Sequence, residues 1–199
     1  MIRDIIFDIG WVFVGIHPEP MLDFLAKHGA PAMDLNTTLE QVRLADHETG
    51  RLDGAGLIER LSALAPRAPL AALRQQWLDM LAPLEDMMQL ARRVALQHGV
   101  YLLSNIGDLH WDHLVARHRV DRIGHGALPS FQAGVMKPDT AIYALAERKF
   151  ALNPAATVFV DDRAQNIEAA RARGWHGIVH RNFNDTREAL LRLGVEAAR

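Results

Sequence analysis

The sequence contains no cysteine among its 199 residues. This absence excludes disulfide bonds and thiolate metal sites, so neither a disulfide-stabilised fold nor a cysteine-ligated zinc or iron site is available to the chain. A chain without cysteine is also compatible with a reducing compartment. We therefore expect a cytoplasmic protein.

Long apolar runs and a strong charge of one sign are also missing. No window approaches the roughly 20 apolar residues that a membrane span requires, and Arg3, Asp4 and Asp8 interrupt the apolar N-terminus, so no signal peptide is predicted. The net charge of -2 and the pI near 6.5 disfavour nucleic acids and anionic membranes as ligands. We expect no nucleic-acid or membrane partner, and a monomer or a homodimer.

Apolar segments alternate with helical patterns along most of the chain. The hydrophobic fraction of 49% is sufficient for a substantial core. Buried strands are predicted at residues 2–7, 100–103, 157–160 and 177–179, and helices at 84–97, 139–149, 164–173 and 185–198. Strands that alternate with helices in this way predict an α/β fold, with a Rossmann-like parallel sheet wrapped by helices.

The segment from residue 15 to residue 81 interrupts this alternation. It contains no convincing strand, and its helical patterns cover residues 20–28, 35–45, 54–64 and 70–80. A simple crossover between parallel strands needs only about a dozen residues, so this segment predicts a separate helical unit. We expect an α/β core domain of residues 1–14 and 82–199, and an inserted helical cap domain of residues 15–81 over the carboxyl edge of the sheet.

Residues capable of catalysis lie just after predicted strands or before a helix. They are Asp8 in Phe-Asp-Ile-Gly, Ser104 and Asn105 after Tyr-Leu-Leu, Lys137 before Pro138, and Asp161 and Asp162 after Val-Phe-Val. The carboxyl ends of parallel strands lie at one edge of the sheet and form its usual ligand site. We therefore expect these side chains to converge there.

The acidic residues in this group predict a site for a hard cation. Magnesium prefers oxygen ligands, usually one or two carboxylates together with phosphate and water. Asp8 and Asp162 can supply the carboxylates, and Gly10 can supply a main-chain carbonyl. Without a cation, Asp8, Asp161 and Asp162 would repel one another and an anionic substrate.

The four motifs together resemble the haloacid dehalogenase superfamily. Phe-Asp-Ile-Gly is similar to its first motif, Leu-Leu-Ser-Asn to its second, Lys137-Pro138 to its third, and Phe-Val-Asp-Asp, with Asn166-Ile close behind, to its fourth. The insertion after the first motif resembles the C1 helical cap of subfamily IA. The stretch Glu48-Thr-Gly-Arg-Leu-Asp-Gly is similar to a cap segment of the sugar-phosphate phosphatase branch.

This resemblance implies a magnesium-dependent phosphatase that acts on a small phosphorylated metabolite, such as a sugar phosphate. Asp8 would attack phosphorus and form an aspartyl-phosphate intermediate. Ser104 and the main-chain N–H of Asn105 would bind the phosphoryl oxygens, and Lys137 would stabilise both Asp8 and the phosphate. Asp162 would bind magnesium directly, and Asp161 would do so through water or as an outer ligand.

The sequence departs from the family pattern just after the nucleophile. Most phosphatases of the family have a second aspartate there that acts as general acid and base, whereas this chain has Gly10 followed by Trp11. We consider four cap residues as its replacement, and these are His17, Asp46, His47 and Glu48. Water or the substrate itself is a further option, and Trp11 lines either the pocket or the joint between the two domains.

Two alternative functions compete with the phosphatase. A 2-haloacid dehalogenase shares the nucleophile, the Ser-Asn pair and the Lys-Pro pair, but it needs no metal. Its fourth motif usually carries uncharged residues, so Asp161 and Asp162 favour the phosphatase. The second alternative is a scaffold that binds a phosphorylated ligand or a protein with little or no turnover, because Gly10 lacks the acid.

Overall fold

The computed structural model describes residues 1–198. Its strands are β1 (Asp4–Phe7), β2 (Val14–Ile16), β3 (Leu81–Pro83), β4 (Gly99–Ser104), β5 (Gly126–Pro129), β6 (Thr157–Asp161) and β7 (His176–Val179). The five strands β1, β4, β5, β6 and β7 form one parallel sheet, in the order β5-β4-β1-β6-β7. The predicted parallel α/β fold is therefore confirmed.

Eleven α-helices connect or cover the strands of the described residues. They are α1 (Glu19–Lys27), α2 (Leu35–Gln41), α3 (Leu44–Glu48), α4 (Gly54–Leu64), α5 (Leu70–Leu78), α6 (Glu85–Val94), α7 (Asp108–His118), α8 (Ser130–Ala133), α9 (Thr140–Phe150), α10 (Ala164–Ala172) and α11 (Phe183–Arg192). Short 3-10 turns cover Val120–Arg122, Pro154–Ala156 and Glu196–Ala198. Between residues 1 and 198, no helix is both long and apolar enough to cross a membrane.

Both faces of the parallel sheet are buried. Successive side chains of a strand point to opposite faces, and in β1 Ile5 and Phe7 belong to one apolar cluster while Ile6 belongs to another. A third apolar cluster extends from Met21 to Met80 and includes one buried residue from outside that range, Leu109 of α7. The helices between β2 and β3 therefore have their own apolar core, whereas the exact domain boundaries stay a prediction.

Several details differ from the sequence predictions, which also lacked α7 and α8. Residues 14–16 and 81–83 form an antiparallel pair, β2 with β3, at the two ends of the insertion. The edge strand β5 was not predicted. The single helix predicted at 35–45 is divided into α2 and α3 by Arg43, which has a left-handed φ of 57°. The helix predicted at 185–198 ends at Arg192, before Gly194 with a φ of 82°.

The strand order determines where the sheet has a crevice for a ligand. The chain runs from β1 to β4 and β5 on one side, and then crosses to β6 and β7 on the other side of β1. The crossover direction therefore reverses between β1 and β6, and a parallel sheet leaves a crevice at such a point. Phe7 pairs with Val160, so the residues that follow on the two strands, Asp8 and Asp161, lie at the same level.

Candidate active site

Asp8 lies at the carboxyl end of β1, in the crevice between β1 and β6. Its main-chain N–H donates to the carbonyl of Val160 at 2.9 Å, which continues the strand pairing by one residue. One carboxylate oxygen accepts from the N–H of Ile9 at 2.6 Å, and the other lies 2.9 Å from Nζ of Lys137. Burial raises the pKa of Asp8 to about 6, although the charge of Lys137 opposes this effect.

Lys137 lies between two carboxylates. It precedes α9 in the chain and is almost fully buried, and its Nζ is 2.9 Å from Asp8 and 2.7 Å from Asp161. Burial alone would lower the pKa of Lys137, but the charges of Asp8 and Asp161 raise it. The ammonium group therefore stays charged and holds Asp8 in its anionic form.

Asp161 is held in place by surrounding donors. Besides Lys137, it accepts from the side-chain amide of Asn166 at 2.9 and 3.0 Å and from the N–H of Arg163 at 2.8 Å. Asn166 is fixed in turn, because its main-chain carbonyl accepts from the hydroxyl of Tyr143 at 2.9 Å. This network holds the Asp161 carboxylate beside Lys137.

The three acids predicted to surround a cation are close together. Asp8, Asp161 and Asp162 each offer a carboxylate oxygen, and these oxygens lie within 4.8 Å of one another. Asp162 is partly exposed, and burial followed by the charge of Asp161 raises its pKa. Three carboxylates beside one ammonium group are a suitable donor set for a hard divalent cation. A role for the Gly10 carbonyl as a ligand stays a prediction.

Ser104 and Asn105 follow β4 on the other side of Asp8. Ser104 is buried near Asp8, and its hydroxyl opposes the rise in the pKa of Asp8. The amide of Asn105 donates to the carbonyl of Lys137 and accepts from the N–H of Lys137, both at 2.8 Å. The Asn105 side chain thus fixes the loop that carries the lysine. Binding of a phosphoryl oxygen by the main-chain N–H of Asn105 stays a prediction.

Two of the four cap candidates, His17 and Asp46, lie away from the cavity beside Asp8, and a third, His47, lines it but is held by the protein. His17 is exposed and does not line the cavity beside Asp8. Asp46 forms ion pairs with Arg43 and Arg51 at the surface. His47 is buried, and its Nδ1 lies 3.0 Å from the carbonyl of Leu52.

Glu48, the fourth candidate, faces the active site. It ends α3 and lines the same cavity as Gly10, Ser104 and Asn105. Its carboxylate has no hydrogen-bond or ion-pair partner among residues 1–198. Burial, followed by the charge of Asp8, raises the pKa of Glu48 to about 7, and Lys137 and Arg163 oppose the shift. Glu48 is therefore the cap carboxylate that holds a proton near neutral pH.

The cap is attached to the core by polar contacts that were not predicted from the sequence. The buried hydroxyl of Ser130, at the start of α8, donates to the carbonyl of Glu48 and accepts from the N–H of Ile106. The carboxylate of Asp108 accepts from the N–H of Gly54 at 3.0 Å. Recognition of β5 would have placed Ser130 at the sheet edge, since it directly follows that strand. No signal in the sequence pairs it with Glu48.

Trp11 lies at the mouth of this site. It has a left-handed φ of 57°, its side chain is 50% exposed, and it lines the cavity together with Gly10 and Glu48. Of the two positions considered for Trp11 from the sequence, the structure shows the one beside the pocket.

Comparison with known proteins identifies the family. The sequence profile described as haloacid dehalogenase-like hydrolase matches residues 17–174. A sesquiterpene phosphatase, astK, from Aspergillus oryzae is 27% identical over 176 residues, which are 87% of each chain. A D-ribitol-5-phosphate phosphatase from Bacteroides thetaiotaomicron is 26% identical over 203 residues, covering 96% of this chain and 97% of the relative.

Solved structures share the fold. A HAD family enzyme from Bacteroides thetaiotaomicron, in complex with magnesium and inorganic phosphate, has a TM-score of 0.82 at 20% identity and covers 91% of this chain and 95% of its own. The L-2-haloacid dehalogenase from Xanthobacter autotrophicus has a TM-score of 0.61 at 17% identity, covering 96% and 83%. The predicted Rossmann-like fold is confirmed. The chain belongs to the haloacid dehalogenase-like hydrolases, as the four motifs in its sequence predicted.

Proposed function

We propose that this hydrolase is a magnesium-dependent phosphatase of small phosphorylated metabolites, with Asp8 as the nucleophile. The observation that carries the proposal is the cluster of Asp8, Asp161 and Asp162 around Lys137. The two relatives named as phosphatases support the same chemistry. A cytoplasmic location and a monomeric or homodimeric state stay predictions of the sequence.

The charge balance of the cluster favours a cation. Three ionised carboxylates beside one lysine leave two excess negative charges, before an anionic substrate enters. Asp162 and Asp8 would bind the ion directly, and Asp161, already saturated by donors, would act as an outer ligand. When bound, magnesium would neutralise phosphoryl oxygens and withdraw charge from phosphorus.

The residues of the chain suit a two-step displacement. Asp8 attacks phosphorus, the bond between phosphorus and the ester oxygen breaks, and the alcohol leaves with a proton. Ser104 and the main-chain N–H of Asn105 bind the phosphoryl oxygens, while Lys137 neutralises charge on Asp8 and the phosphate. Water then attacks phosphorus, which releases inorganic phosphate and restores the Asp8 carboxylate.

Glu48 takes the place of the missing aspartate at position 10 in this proposal. It faces the cavity beside Gly10 and has no partner among the described residues that would hold its carboxylate in one state. It would donate a proton to the leaving alcohol and then accept one from the attacking water.

The dehalogenase is the second candidate, and its fold is shared. Displacement of a halide needs no cation, however, and provides no use for the surplus of carboxylates around Lys137. The arrangement of Asp161 and Asp162 therefore favours phosphate chemistry.

The test is release of phosphate from p-nitrophenyl phosphate and a panel of phosphate esters, with magnesium and with a chelator. We expect activity that requires magnesium and is lost in Asp8→Asn, a variant that keeps the shape of the side chain. Halide release from a 2-haloacid in the presence of chelator would establish the dehalogenase instead. Stabilisation by phosphate esters with no product after long incubation would establish a binding scaffold.

A further inference from the structure

A cavity of about 340 Å³ extends from the active site under the cap. Cavities of this size accommodate small organic molecules. Its walls come from both domains and are largely apolar, with side chains that include Trp11, Ile16, Leu39, Leu44, Trp77 and Met80. A ligand with its phosphate beside Asp8 would therefore extend its alcohol portion along an apolar wall.

The polar residues in the lining fall into two groups. Ser104, Asn105 and Glu48 belong to the proposed catalytic site. The remaining lining side chains with hydrogen-bonding groups are His47, His110, the exposed Glu19 and the indoles of Trp11 and Trp77. Most of the wall beyond the catalytic residues thus offers no donor or acceptor.

The two histidines are buried and held by main-chain carbonyls. The ring of His110 stacks on Trp77 at a centroid distance of 5.0 Å, and its Nε2 lies 2.7 Å from the carbonyl of Trp77. Burial lowers the pKa of His110 to about 4, so its ring is neutral. His47 has Nδ1 at 3.0 Å from the Leu52 carbonyl. Nε2 of His47 and Nε1 of Trp77 have no hydrogen-bond partner among the described residues, but both atoms are almost completely buried within the protein.

We propose that the physiological substrate is the phosphate monoester of an apolar alcohol, with few or no hydroxyl groups beyond the ester, whose hydrocarbon portion fills this cavity. This proposal rests on the proposed phosphatase function and replaces the sugar phosphate expected from the cap segment. A polyol chain would lose water from its hydroxyl groups without gaining partners on the wall. A hydrocarbon chain would gain from removal of its surface from water.

The first test is a series of n-alkyl phosphates from ethyl to octyl, below their micelle-forming concentrations. The value of kcat/KM, measured by phosphate release, is expected to rise by about fourfold per methylene until the cavity is filled, the factor for removing one methylene from water. Pentyl phosphate and D-ribitol 5-phosphate form a matched pair, because both have five carbons and one phosphate. Pentyl phosphate is expected to have the higher kcat/KM.

A series that is flat or falls with chain length would overturn the proposal, as would a higher kcat/KM for the ribitol ester. Either result, obtained with an enzyme that still hydrolyses p-nitrophenyl phosphate through Asp8, would leave the phosphatase function intact. Release of phosphate from no ester at all would overturn both proposals.

The second test changes one wall of the cavity. Leu39 of α2 lines the cavity and packs on the apolar cluster of the cap, whereas Leu64 of α4 packs on the same cluster away from the cavity. Leu39→Asn is expected to lower the octyl-to-ethyl ratio of kcat/KM by about tenfold. The matched control Leu64→Asn is expected to keep the wild-type ratio. If the octyl-to-ethyl ratio of kcat/KM were the same in both variants, the alkyl group would not lie against Leu39 and the proposal would be overturned.

Discussion

Replacement of Glu48 by glutamine keeps the size of the side chain but removes its ability to transfer a proton. With a pKa of about 7, roughly half of the Glu48 side chains carry a proton at neutral pH. At the ordinary value of 4.5, only about one in 300 would do so. The partly buried position near Asp8 therefore makes Glu48 available as an acid, and loss of such a group lowers a rate by about 10²–10⁴-fold.

The leaving group provides the control within this experiment. An alkoxide is a poor leaving group and needs a proton, whereas p-nitrophenolate leaves readily as an anion. In Glu48→Gln we expect kcat/KM for an alkyl phosphate to fall by about 10²-fold or more, and kcat/KM for p-nitrophenyl phosphate to change little. The wild-type kcat/KM for the alkyl ester should fall as the pH rises through about 7, because the acid loses its proton, and Glu48→Gln should lack this decline.

A second substitution tests whether the lost function is proton transfer. Gly10 lies outside the left-handed region, and a Cβ there would meet Ile16 Cδ1 at 3.8 Å, an ordinary contact. Gly10→Asp restores the aspartate that is usual in the family. Added to Glu48→Gln, it should raise kcat/KM for the alkyl ester at least about tenfold above that of Glu48→Gln alone. An equal loss for both leaving groups with no recovery would refute the assignment of Glu48.

Three further substitutions test the rest of the site. Asp162→Asn should raise the magnesium concentration for half-maximal phosphate release by at least about tenfold, and an unchanged requirement would exclude Asp162 as a ligand. Lys137→Met leaves two buried carboxylates without their counter-ion and should lower the free energy of unfolding in urea by about 3–5 kcal/mol, whereas a change below about 1 kcal/mol would contradict the buried ion pairs. In Gly107→Ala, the new Cβ would lie 2.1 Å from the ring of His47, so we expect a loss of about 1–3 kcal/mol in the same assay, whereas the control Gly10→Ala should change stability little.

The core and its acidic residues were accessible from the sequence for a physical reason. In a parallel sheet the strands are buried on both faces, so each is a short apolar run, and the residue after each run lies at the same edge. Asp8, Ser104 and Asp161 could therefore be placed together without knowledge of any contact, whereas Lys137 follows no predicted strand and was placed with them through the motif that it forms with Pro138. Their roles in catalysis stay predictions that the experiments above address.

The elements missed in the sequence are those that depend on distant partners. β5 has the sequence Gly-Ala-Leu-Pro, which is atypical of a strand, and it pairs through the edge of β4. β2 and β3 have three residues each, and 64 residues separate Ile16 at the end of β2 from Leu81 at the start of β3, so their pairing has no local signal. The division between α2 and α3 depends on the backbone of Arg43.

The proton donor could be narrowed to four cap residues but not chosen, because the choice depends on how the cap is seated on the core. Ser130 holds the carbonyl of Glu48, and Asp108 holds the N–H of Gly54, through contacts between residues more than 50 positions apart. These contacts turn Glu48 toward the cavity, while Asp46, two residues earlier, pairs with surface arginines. Sequence periodicity carries no information about such contacts.

The central claim is that Asp8 forms a covalent bond to phosphorus during turnover. The most direct measurement is rapid acid quenching during hydrolysis of a good substrate with magnesium, followed by mass spectrometry of the peptide that contains Asp8. We predict that this peptide gains the mass of one phosphoryl group, and that Asp8→Asn shows no such gain. Steady release of phosphate with an unmodified Asp8 peptide, or with the phosphoryl group on another residue, would contradict the account.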